Sequence, residues 1–242
     1  MTDSYISIDL ETTGLEPKHD KIIEIGALRV ENGQITDTFS TFVNPGRKLE
    51  ERIISLTGIR DGELSDAPYI QEVLPGLLDF MGSMPILGHS ILFDFSFLKK
   101  AAVNQGLAFE KCAIDTLKIA RKYLAELESR SLDYLCDYYQ IPHQAHRALE
   151  DARATHLLYG RLAEFFYEKE PEGGGLFAPI PLSYQAKRDT PATRAQKEQL
   201  VRLLEQKKIT LPVDIERLTR SEASRYVDKI KSGQISAADG AK

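Results

Sequence analysis

The sequence predicts an α/β protein, a mixed β-sheet flanked by helices, followed by a small helical C-terminal module. Three observations carry that expectation. Three extended segments open the chain, the last two joined by Asn32-Gly33; helical and extended patterns then alternate; and a Gly/Pro-rich stretch precedes two further helices with capping signals.

Tyr5 to Leu10, Ile22 to Glu31 and Gln34 to Val43 read as strands. Asn-Gly is the preferred pair for a two-residue hairpin, so an antiparallel meander follows. The next stretch, NPGRKLEERIISLTGIRDGELSDAP, is expected to be irregular. Asp66-Ala67-Pro68 then looks like a cap and first turn, and Ile70, Val73, Leu74, Leu77, Leu78 and Met81 recur at helical spacing. MPILGHS reads as a short strand, FDFSFLKKAAVNQG as a helix ended by Gly106, and KCAIDTL as a strand entering another helix. Further helices are predicted over about Ser131 to Gln140 and Glu150 to Glu168, the second with Leu157, Leu158, Leu162 and Phe165 as its apolar face. Thr193 with Gln196, and Thr219 with Glu222, have capping-box spacing before the last two helices. The expected domains are residues 1–170, a linker over 171–190, and a module over 191–242.

A chain of 242 residues with 42% hydrophobic content can bury a sizeable core. No secretory signal and no long apolar run is apparent, so a soluble cytoplasmic protein with no membrane association is expected. Cys112 and Cys136 lack CxxC spacing and lie in periodic apolar segments, which suits reduced core thiols. The net charge of -5 is unevenly placed. There are 18 Lys and Arg against 28 Asp and Glu up to Leu182, and 13 against 8 beyond it, giving -10 and +5. A basic appendage on an acidic body fits nucleic-acid contact, and equally a solvated helical tail.

Chemistry concentrates in SIDLETTGLEP. In a strand, residues two apart share a face, so Asp9 and Glu11 point at one spot. A wet strand end would accommodate them; so would a divalent cation, which satisfies two carboxylates at once. GHSILFDFSFL places Asp94 among aromatics after a strand, and HRALEDARATHLL places His146 five residues before Asp151 where a helix begins. Asp151 alone is uninformative, since an acid suits any helix start. Together the four carboxylates stand at strand ends or helix entrances, where open α/β sheets gather their sites.

DLETTGL, GHSILFDFSFL and HRALEDA, in this order, resemble the three motifs of the DEDDh 3'-to-5' exonucleases, a family that includes the proofreading epsilon subunit of bacterial DNA polymerase III and the PolC exonuclease domain. The likeness spans about Ser4 to Leu162. It implies a ribonuclease-H-like fold, two Mg2+ or Mn2+ ions, and hydrolysis of single-stranded nucleic acid, DNA favoured over RNA, from its 3' end to nucleoside 5'-monophosphates. A DNA polymerase or repair partner is implied too, and a non-catalytic nucleic-acid or polymerase-binding module is the alternative. Carried onto this chain, the resemblance makes Asp9, Glu11, Asp94 and Asp151 the metal-binding acids and His146 the general base. It also implies substrate contacts from Thr12, Thr13, Gly14, Leu15, His89, Ser90 and Phe95. The bland reading of Thr12 to Gly14 is a turn in which Gly14 takes a positive φ. Ser90 departs from the Asn that many relatives carry there. His19, His143 and His156 lack a motif partner and are expected to be structural or solvated, and Glu150 to be a solvated helix residue.

Overall fold

The computed structural model describes residues 1–235 and comprises two units: Met1–Pro45 with Leu49–Ala186, and Gly46–Lys48 with the chain from Lys187 onward. In the first unit, β1 (Tyr5–Thr12), β2 (Ile22–Glu31) and β3 (Gln34–Phe42) form the antiparallel meander. Asn32 (φ 51°) and Gly33 (φ 75°) both take the left-handed conformation that their hairpin requires. β4 (Ile86–Gly88) and β5 (Cys112–Asp115) add in parallel beside β1, and β6 (Ile180–Pro181) closes the edge antiparallel, giving the order β3-β2-β1-β4-β5-β6.

Helices cover both faces. α3 (Ile70–Met81) and α4 (Leu92–Gln105) pack with Ile6, Ile8 and Leu10 of β1. On the other face α5 (Thr116–Tyr123), α6 (Leu132–Tyr139) and α7 (Ala148–Phe166) pack with Tyr5, Leu87 and Ile114. The period of two along β1 therefore separates an aliphatic row from the row Tyr5, Ser7, Asp9 and Glu11. The second row lies on the side of α7, where Ser7 Oγ donates to the carbonyl of Ala152 at 2.7 Å.

Four expectations need correction. The stretch after β3 holds two short helices, α1 (Glu51–Thr57) and α2 (Asp61–Leu64), whose Ile53 and Leu64 close a small core with Ile23. At seven and four residues they are too short to show a period. The expected linker is packed structure for much of its length: Gly173, Gly174 and Gly175 at positive φ reverse the chain, Phe177 is fully buried against Tyr159, and β6 pairs with β5. On α7, Leu157 and Phe165 are exposed, because the helix buries only the face carrying Ala154, Leu158, Tyr159 and Leu162. Cys136 is a buried thiol, whereas Cys112 is exposed; both are free. Among the described residues no helix is long and apolar enough to cross a membrane.

In the second unit α8 (Arg194–Lys207) and α9 (Arg220–Lys231) both begin with the expected capping boxes, at Thr193 with Gln196 and Thr219 with Glu222. Leu200, Leu204, Ile209, Leu218, Ala223, Val227 and Ile230 form its core. Arg47 bridges Val213 in antiparallel fashion, so Gly46–Lys48 belongs to this unit. The last seven residues of the expected module, 236–242, lie outside the described residues.

Candidate active site

β4 is only three residues long and pairs with β1 at Ile6 and Ser7. Beyond that point β1 runs on without a neighbour on this side, leaving the amide of Leu10 free of the ladder. Asp94, in the first turn of α4, accepts it: Leu10 N–H donates to Asp94 Oδ1 at 3.0 Å. This opening at the strand end is where a doubly wound sheet forms its crevice.

α7 closes the same region from the other face. Its first turn crosses β2 at Gly26, where a Cβ would overlap the backbone of Ala148 and Leu149. Glu24, two residues earlier and opposite Glu11 in the strand pair, accepts from Arg147 Nη2 at 3.1 Å and from the amide of Ala148 at 3.2 Å. That contact fixes the start of α7, and with it Asp151. Glu11, His146 and Asp151 then offer ligand atoms that all lie within 4.8 Å of one another. Asp9 feels the charges of Asp94, Asp151, Glu11 and Glu24 together, which places it among them.

The electrostatics follow from that crowding. Burial, reinforced by Asp94 and Asp151, drives the Asp9 carboxyl well above its usual range. Burial pushes Glu11 up to about 8, with Asp151 and Glu24 adding to the effect and Arg147 opposing it. Asp94 also rises to about 8 through burial, against the backbone amides that favour its charged form. Asp151 is raised by burial, while its bonds to His143 and His146 work the other way. A set of buried, mutually repelling oxygen donors is what a hard divalent cation relieves, so the residues fit such an ion.

His146 sits at φ 65°, a left-handed turn, and its own amide donates to Asp151 Oδ2 at 3.0 Å. Of the expected substrate contacts, Leu15 is 79% exposed at the tip of the turn after β1. Thr12 Oγ1 donates to the carbonyl of Gly14, and Thr13 Oγ1 accepts from Lys21 N–H, so both hydroxyls serve the turn. Gly14 does not adopt positive φ; a Cβ there would lie 2.5 Å from Asp20 Oδ2, so any other residue would have to push that carboxylate aside. Ser90 is exposed at φ 70°, its amide donating to Asp115 Oδ1 at 3.0 Å.

Two sequence expectations fail at this site, and a third is narrowed. Phe95 is fully buried and stacks on Phe109 at 5.3 Å, so its ring cannot reach a substrate; the helical spacing that turns Asp94 toward β1 turns Phe95 into the core. His89 has both ring nitrogens engaged, Nδ1 with Thr116 Oγ1 at 2.9 Å and Nε2 with the carbonyl of Arg130 at 2.8 Å, and burial lowers its pKa. It ties the end of β4 to the start of α5. Of the two alternatives expected for His143, structural or solvated, the structure takes the first: its side chain is buried, and its Nε2 donates to Asp151 Oδ1. Glu24 lies outside the three motifs, although an acid inside the apolar run IIEIGALRV is a signal that a buried charge needs a partner.

The family model described as exonuclease (RNase T) matches residues 6–159, and the chain belongs to that family. A PolC-type DNA polymerase III from Caldanaerobacter subterraneus subsp. tengcongensis is 40% identical over 166 residues, covering 68% of this chain, and one from Thermotoga maritima is 39% identical over 163 residues, covering 66%. The chain spans 12% of the length of each of these polymerases. Among solved structures, exonuclease X in complex with 5' overhanging duplex DNA is 26% identical with a TM-score of 0.53, over 66% of this chain and 90% of that one. The nuclease domain of 3'hExo, a DEDDh family member bound to rAMP, is 22% identical with a TM-score of 0.58, over 68% and 93%, and shares the fold. The mixed sheet flanked by helices is thus the ribonuclease-H-like fold of the DEDDh exonucleases.

Proposed function

We propose that this chain is a metal-dependent 3'-to-5' exonuclease that degrades single-stranded nucleic acid, DNA in preference, to nucleoside 5'-monophosphates. The observation that carries this reading is the convergence of Glu11, His146 and Asp151 within 4.8 Å of one another, beside the half-buried Asp9 and the buried Asp94. Asp9, Glu11, Asp94 and Asp151 would hold two Mg2+ or Mn2+ ions, for which oxygen donors are suited. Such ions, when bound, neutralise the phosphodiester and acidify the attacking water.

His146 takes the proton of that water as its oxygen bonds to phosphorus. The bond from phosphorus to the 3' oxygen of the preceding nucleotide breaks, that oxygen takes a proton, and a nucleoside 5'-monophosphate leaves. Leu15 offers an apolar wedge beside the terminal base, Thr12 to Gly14 contribute backbone groups, and Ser90 presents its free side chain. The likeness to an exonuclease bound to DNA and to a DEDDh domain bound to rAMP supports the substrate class. The relation to PolC-type polymerases supports a cytoplasmic setting in replication or repair, with a polymerase or repair partner. The basic second unit adds phosphate contacts; truncation after Ala186 should weaken binding and flatten its salt dependence.

Single-stranded DNA and RNA labelled at the 5' end, incubated with Mn2+, test the reading. Stepwise shortening with release of mononucleotides is expected. Binding without cleavage, or loss of the 5' label first, would overturn it.

A further inference from the structure

His143 is the histidine that the motif does not use, yet the fold buries it in the site. Its side chain is 7% exposed, on a loop between α6 and α7 with no regular structure of its own. A polar ring is buried there only if its nitrogens find partners. They do: Nε2 donates to Asp151 Oδ1, and Nδ1 lies 3.3 Å from Asp133 Oδ1 in the first turn of α6.

Asp151 is therefore held at both oxygens by one loop, Oδ1 by the His143 ring and Oδ2 by the His146 amide. Each carboxylate oxygen has two acceptor directions, so one on each remains for a cation. Asp133, 54% exposed, backs the imidazole from the far side and fixes the ring orientation. A histidine held between two carboxylates in this way fixes the direction in which the inner one presents its free lone pairs. Hydrogen-bond partners behind a ligating carboxylate typically change metal affinity by about 10- to 100-fold.

We propose that His143, backed by Asp133, is a positioning residue that aims Asp151 at the divalent cation and so sets the affinity of the site for metal. The inference rests on the functional reading above, because it takes Asp151 as a ligand. It assigns no proton transfer to His143.

Mn2+ titration of the 242-residue chain, followed by calorimetry without nucleic acid, tests it. His143→Ala should bind Mn2+ about 10- to 100-fold more weakly than wild type. His143→Gln, whose Nε2 can donate from the same place, should recover most of the loss. Asp133→Asn, at a half-exposed position, should show a smaller loss in the same direction. Wild-type affinity in both His143→Ala and Asp133→Asn, or tighter binding, would overturn the proposal. So would a Gln variant as weak as Ala, which would point to ring packing. If His143→Ala fails to fold, the Gln and Asn variants decide between the same outcomes. A wild-type protein that binds no Mn2+ would instead remove the functional reading, and this inference with it.

Discussion

Glu24 and Arg147, 123 positions apart, meet across the start of α7, where the carboxylate receives the guanidinium at 3.1 Å and the neighbouring Ala148 amide at 3.2 Å. Glu24 is buried, and Arg147 is partly exposed over the ring of Phe42. Replacing Glu24 by Ala leaves an amide and a cation without their acceptor. The expected cost is about 2 kcal/mol, discounted for the exposure of Arg147. Urea unfolding should show the midpoint falling by that free energy divided by the m-value, with the m-value unchanged. An unchanged midpoint would show that α7 is anchored by packing alone.

The crowded acids predict an inverted pH dependence in the metal-free protein. An unfolded chain releases carboxyl protons near about pH 4, whereas Glu11 and Asp94 in the folded protein hold theirs up to about 8. Between those values the native state binds more protons, so stability falls as pH rises. The melting temperature in EDTA should decline from about pH 5 to about pH 8. Stabilisation by added Mn2+ should be larger at the upper end. A flat profile would mean that the negative charges are already compensated within the protein.

Asp9→Asn and Asp151→Asn should each lower turnover by at least about 10²-fold, since the charge they remove is needed as the transition state develops. His146→Ala should lower it by about 10²- to 10⁴-fold while leaving Mn2+ affinity close to wild type. That split separates a base from a ligand. A variant at 146 that lost metal and turnover together would reassign the residue, whose ring nitrogen is near enough to Glu11 and Asp151 for either part.

Ser90 occupies a left-handed backbone position, φ 70°, that asparagine tolerates better than serine. Ser90→Asn should therefore raise stability by about 0.5 to 1 kcal/mol. Thermal unfolding of the variant checks this. A loss of stability would show that the Ser90 side chain makes its own contribution to the loop.

What could be read from the sequence was local. Asn32-Gly33 announced its hairpin because the turn geometry admits few other pairs, and the two capping boxes at Thr193 and Thr219 announced helix starts for the same reason. Asp9, Glu11 and Asp94 stood out because they interrupt apolar patterns near the end of an element, whereas Asp151 was drawn in only by the resemblance of HRALEDA to the third motif. His143 and Glu24 did not stand out, since their partners are defined only once α6, α7 and β2 come together. Phe95 and His89 misled in the opposite sense: a motif places a residue near a site, but only packing decides which way its ring faces. The Gly/Pro composition of residues 171–190 signalled a change of direction, and the buried ring of Phe177 shows that a turning chain need not be a loose one.

The brevity of β4 has a further meaning. Ile86–Gly88 reaches only to Ser7 on its neighbour, so β1 projects past it like a ledge, and the acid-bearing half of that ledge is built from what the sheet leaves unzipped. Extending the short strand by one or two pairings would claim the Leu10 amide for the ladder and evict Asp94 from its perch. In this fold, stopping a strand early is what makes room for chemistry.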